Sequence, residues 1–209
     1  MNNETRTMNT TANRGMTRSV RYVTVTAMLA AVSFILQYIE IAIPIMPSFI
    51  KFDFSDLPAL LGSFAMGPVC GILICLVKNV LHLAFSNSMF VGELSNFILG
   101  AVFVAVAGVI YKKKKTKTGA FVGGIIGALV MGAFSLVSNY YLVYPVYYQV
   151  MPQEVILNMY QAILPSMKTI FQSLVCFNLP FTIVKGLIAA AICMLIYKPL
   201  SPILKGKQE

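Results

Sequence analysis

Charge is what this sequence has least of. Charged residues make up 11% of its 209 positions and hydrophobic ones 58%, whereas soluble domains carry roughly 25% charged residues. Mean hydropathy is +0.79, which excludes a solvated globular fold and indicates an integral membrane protein. Cysteine is also scarce. Cys70, Cys75, Cys176 and Cys193 all lie in apolar runs and none stands in a CxxC spacing, so they read as small packing residues and not as metal or redox groups. No Gly-x-x-x-x-Gly-Lys-Ser/Thr loop occurs, so an ATP-driven step would need another subunit. HExxH, GxSxG and clustered His/Asp sets are missing too, which argues against an enzyme with any of those machineries.

The net charge of +9 points to a membrane surface, because of where the charge sits. Twelve of the sixteen basic residues fall in three clusters: Arg6, Arg14, Arg18 and Arg21; Lys112, Lys113, Lys114, Lys115 and Lys117; Lys198, Lys205 and Lys207. Basic clusters beside membrane spans mark the cytoplasmic face. Residues 1–19 then form a polar cytoplasmic segment, frayed or disordered, residues 20–199 a membrane domain, and residues 200–209 a cytoplasmic tail. A bacterial cell membrane with both termini inside is the expected setting.

Apolar runs predict an all-α, six-transmembrane-helix bundle. The first helix covers residues 20–39, and a loop with Pro44, Pro47, Lys51 and Asp53 follows over residues 40–55. The second helix, residues 57–66, is too short to cross alone, since a spanning helix needs about 20 residues. It breaks at Gly67-Pro68 into a third over residues 68–85. Residues 86–89 read as a turn and residues 91–111 as the fourth helix. The fifth covers residues 119–144, with Gly119, Gly123 and Gly127 on one seam and Gly124, Ala128 and Gly132 on another, as tight helix packing requires. An amphipathic pattern over residues 152–165 predicts an interfacial helix. The sixth membrane helix runs over residues 173–197, with Pro180 inside it. Reading the second and third helices as one would put the lysine run outside, against the positive-inside tendency.

Polar residues inside these spans are the candidate site. A charge at bilayer mid-depth costs about 2.5–3.5 kcal/mol on insertion scales. Lys78, Glu93, Asn96, Asn139, Asn178, Thr182 and Lys185 nevertheless converge on the outer half of four helices, with Tyr140 among the tyrosines beside them. The pattern suggests one polar pocket. Lys78 either serves that pocket or pairs with Glu93 to brace the bundle, and the sequence leaves both open. Asp53 and Asp56 read as loop and helix-cap groups, and His82 as structural. Ala27 and Ala31 lie four apart, which suits either packing inside the bundle or close approach of a second helix.

Five segments carry a resemblance. They are Ala27-x-x-x-Ala31, Phe52-Asp-Phe-Ser-Asp-Leu-Pro-Ala-Leu-Leu-Gly62, Gly92-Glu-Leu-Ser-Asn96, Ser138-Asn-Tyr-Tyr141 and Asn178-Leu-Pro-Phe-Thr-Ile-Val-Lys-Gly186. In this order they resemble the substrate-binding S components of energy-coupling factor (ECF) vitamin transporters, and among these the riboflavin-specific type. The resemblance implies a six-helix bundle that binds riboflavin as substrate near its outer face, with no cofactor. It also implies a transmembrane coupling subunit and two cytoplasmic ATPases as partners, with Ala27 and Ala31 facing the coupling subunit. The flavin's polar ring edge would be held by Asn139, Thr182 and Lys185, threonine standing at 182 where the family pattern leads one to expect asparagine. An asparagine amide offers one donor and one acceptor to that edge, and lysine a charge-assisted donor. Glu93, Asn96 and the tyrosines would serve the hydroxylated chain. An S component for another vitamin is the nearest alternative. A stand-alone secondary transporter is another, but it needs a polar path through inner helix halves that are apolar.

Overall fold

The computed structural model describes residues 3–86 and 90–205. Residues 87–89, within the expected turn, and residues 206–209 of the expected tail lie outside the described residues.

Helix α1 (Asn3–Tyr38) opens the chain. No proline occurs before Pro44, and the polar residues that the sequence suggested were frayed continue the apolar helix. A two-stranded antiparallel hairpin follows, β1 (Ile41–Ala42) against β2 (Lys51–Phe52), with Ile41 opposite Phe52 and Ala42 opposite Lys51. A Lys51–Glu40 ion pair closes it. The sequence predicts a loop packed over the bundle here; the structure adds this short hairpin to it.

Helix α2 (Asp56–Met66) is the short one, and its position explains how so short an apolar helix persists. It packs against α1, α3 (Pro68–His82), α4 (Val91–Lys113) and α9 (Leu179–Lys205). Protein surrounds it, so its ends need not reach both interfaces. Gly67 ends it with φ +106°, a conformation open to glycine. Pro68 then starts α3 at a position where a missing N–H costs nothing. A single 3-10 turn (Leu83–Phe85) closes α3.

Helices α5 (Lys117–Ser138) and α6 (Tyr144–Tyr147) are joined by a π turn, Asn139–Val143. Helix α7 (Gln153–Gln161) forms within the amphipathic stretch 152–165 and turns Ile156 and Tyr160 inward. Helix α8 (Ile170–Ser173) leads through a second π turn, Leu174–Asn178, into α9. Each π turn ends two residues before a proline, Pro145 and Pro180. Proline has no N–H to donate and its ring crowds the carbonyl four residues back, so the preceding turn widens.

Among the described residues five helices are long and apolar enough to cross a membrane, and α2 is the shorter sixth. The two glycine seams of α5 face different neighbours. A Cβ on Gly127 would come within 3.0 Å of the Phe103 carbonyl on α4, and one on Gly124 within 2.7 Å of Ala190 Cβ on α9. Glycine is what allows α5 to wedge between those two helices.

Candidate functional site

One half of the bundle is filled, the other hollow. Ala59, Leu60, Phe64, Ile74, Phe103, Ala107 and Ala128 belong to a continuous apolar core. Beside it opens a cavity of about 520 Å³, bounded by the hairpin and by helices α1 to α5 and α9, a size typical of small-molecule sites.

Asp53 and Asp56 organise its charge. Lys185 Nζ on α9 donates to Asp53 Oδ2 at 2.8 Å and lies 3.5 Å from Asp56 Oδ2. Lys78 Nζ on α3 donates to Asp56 Oδ1 at 2.8 Å and to Ser55 Oγ at 2.5 Å. Ser55 in turn donates to Asp53 through its hydroxyl and, at 2.8 Å, through its backbone N–H. Ser33 on α1 donates to the Ser55 carbonyl. Two carboxylates and two ammoniums thus form a neutral quartet, the arrangement that makes buried charge tolerable. Burial alone would raise the Asp53 carboxyl, but Lys185 and then Lys78 hold it well below the usual carboxylate range.

Most of the residues named from sequence come together here. Glu93, Asn96, Asn139, Asn178, Thr182 and Lys185 all line the cavity. Asn139 stands first in one π turn and Asn178 last in the other, and such wide turns are frequent at functional sites. Asn139 Oδ1 accepts from Ser95 Oγ at 3.2 Å. Asn178 Oδ1 accepts from Tyr160 OH at 2.7 Å, and Tyr160 also bonds Tyr144. This ties α7 to the rim of the cavity.

Two expectations need correction. Lys78 does not line the cavity: it is wholly buried behind the wall, and its partner is Asp56, not Glu93. Glu93 instead meets His82 Nδ1 at 2.9 Å and accepts from Ser86 Oγ at 2.8 Å. Tyr140 does not line it either. The π turn aims it outward against Tyr141 and Phe171, and Tyr144 and Tyr147 are the tyrosines of this stretch that line the cavity.

The sequence reading missed Asp53, Asp56 and Gln37 as cavity residues. The signal for the aspartates was present. Two lysines inside membrane spans need two anions, and Phe52-Asp-Phe-Ser-Asp56 is where two stand close together. Ala27 and Ala31 are exposed on the outside of α1, so they do not pack within the bundle.

A family model described as ECF transporter, substrate-specific component, matches residues 21–197. The chain belongs to that family. It is 35% identical over 198 residues to riboflavin transporter RibU of Staphylococcus aureus, covering 95% of this chain and 99% of that protein. It is 30% identical over 186 residues to riboflavin transporter FmnP of Bacillus subtilis, covering 88% of this chain and 93% of that one. A solved structure of the S component of a bacterial ECF transporter superposes with a TM-score of 0.71 at 33% identity. That match covers 90% of this chain and 99% of the other.

Proposed function

We propose that this chain is the riboflavin-binding subunit of an ATP-driven importer, and that it binds without catalysing a reaction. It captures riboflavin at the outer face of a bacterial cell membrane. It then works with a transmembrane coupling subunit and two cytoplasmic ATPases to deliver the vitamin. The observation that carries this reading is full-length similarity to a protein named riboflavin transporter. The residue set of the cavity agrees with it. Asn139, Thr182 and Lys185 gather on the α5/α9 side of a largely apolar chamber, as a planar apolar ring with an imide-like polar edge requires. Lys185 is already paired with Asp53, so it meets the ligand as part of a neutral cluster. The basic clusters favour cytoplasmic termini, which puts the hairpin and the cavity mouth outside.

The test is the visible absorption of the purified chain, followed by riboflavin titration after any bound flavin is stripped. A stoichiometric co-purified flavin and saturable rebinding are expected. A colourless preparation that takes up no added riboflavin would overturn the reading.

A further inference from the structure

A residue of α7 stands behind the cavity wall and holds that wall from three directions. Tyr160 is 0% exposed and is not one of the lining residues. Its ring meets Phe49 of the hairpin loop edge-on, with 6.0 Å between centroids. Its hydroxyl meets Tyr144 of α6 and Asn178 of the π turn before α9. Phe49, Tyr144 and Asn178 all line the cavity. The sequence of α7 puts Tyr160 there, because Ile156 and Tyr160 stand four apart and share its inward face.

The hydroxyl contacts have a direction. Tyr160 OH donates to Asn178 Oδ1 at 2.7 Å. A tyrosine hydroxyl has one proton, so with that proton spent Tyr144 is the donor in its contact with Tyr160. Asn178 Nδ2 lies 3.5 Å from the Tyr144 oxygen and closes the triangle. Asn178 is only 8% exposed, so water is a poor substitute for the Tyr160 proton. Removing that proton leaves a buried acceptor short of a donor, and the amide is then free to turn toward another. Its position makes such a turn matter. Asn178, Thr182 and Lys185 follow one another at i, i+4 and i+7, the spacing of a single helix face, and all three line the cavity.

We propose that Tyr160 is a positioning residue of the binding site, acting through Asn178. It does not touch the ligand; its hydroxyl sets the orientation in which the Asn178 amide meets it. The ligand in question is riboflavin, so the proposal rests on the reading given above. The same contact makes α7 part of the binding unit, although Met159 is its contribution to the lining. If the hold of Tyr160 on Asn178 improves binding, bound ligand must tighten that hold by the same factor, because linkage between two equilibria is reciprocal.

The experiment titrates riboflavin into wild type, Tyr160→Phe, Asn178→Ala and the double variant, with thermal unfolding recorded for each. Tyr160→Phe keeps the ring and removes only the hydroxyl, and it should weaken riboflavin by about tenfold. In the Asn178→Ala background the same change should add less than about twofold. A general structural role would weaken binding equally in both backgrounds, and that result overturns the proposal, as does unchanged affinity in Tyr160→Phe. Hydrogen exchange on wild type tests the same coupling without any variant, whether or not the variants fold. Riboflavin should slow exchange of the amides of residues 153–161, and equal exchange with and without it overturns the proposal. Wild type that binds no riboflavin sinks the riboflavin reading itself, a result distinct from the others.

Discussion

The hollow half and the filled half of this bundle solve opposite problems with the same helices. In the filled half α5 approaches α4 and α9 closely through Gly123, Gly124 and Gly127, and the space between is occupied by Ala107, Ala128, Phe103 and Ala190. Contact there is apolar and local. In the hollow half the same helices diverge around a chamber, and their polar groups find partners far away in sequence, Lys185 with Asp53 and Lys78 with Asp56. Helix–helix packing supplies rigidity below; ion pairing supplies a fixed, neutral wall above. Stability and binding should therefore be separable by position.

The largest break in that comparison is expected at Lys78. Lys78→Met removes a wholly buried cation and leaves Asp56 short of a partner, a loss of about 3–5 kcal/mol by analogy with broken buried ion pairs. Unfolding in detergent measures it. The double variant Lys78→Met/Asp56→Asn should recover part of the loss. A double variant no more stable than the single one would show that the charge pairing is not what matters.

A crossed pair sharpens the comparison. Gly127→Leu in the filled half overpacks against Phe103 and should cost about 1–3 kcal/mol of stability, with the affinity of the folded fraction unchanged. Asn139→Ala in the hollow half should do the reverse and weaken riboflavin by about 1–3 kcal/mol with little change in unfolding. Calorimetric titration and thermal unfolding on both variants decide it; parallel effects in both would mean the two halves are not independent.

The smallest effect should come from the outside of α1. Ala27→Leu with Ala31→Leu should alter stability by no more than about 0.5 kcal/mol, and riboflavin binding by the isolated protein should persist. If this face meets the coupling subunit, ATP-dependent uptake by the assembled transporter should nevertheless fail, since leucine holds two helices apart where alanine lets them touch. Normal uptake would assign the face to lipid.

Much of this was legible in the sequence, for identifiable reasons. Apolar runs and the Gly67-Pro68 break locate the helices because length and punctuation are local properties. The polar residues of the hollow half stand out because hydrocarbon makes each of them expensive. Partner choice was not legible. Whether Lys78 meets Glu93 or Asp56 depends on how α3 is rotated and on a loop folding inward from residue 53, and neither follows from spacing alone. Tyr140 was misplaced for a related reason: the π turn before Pro145 shifts the tyrosines relative to a regular helix, and Tyr144 takes the inward position.

The quartet of Asp53, Asp56, Lys78 and Lys185 also has an electrical consequence. Its charges sum to zero, so a membrane potential exerts no net pull on it, and an uncharged ligand entering beside it carries no charge into the field. The quartet should therefore add no voltage dependence to the capture step. Lys185→Met would leave one uncompensated negative charge at the site. Any movement of that charge across the field would then be worth up to about 2.3 kcal/mol per 100 mV, a sensitivity that the native quartet does not contribute.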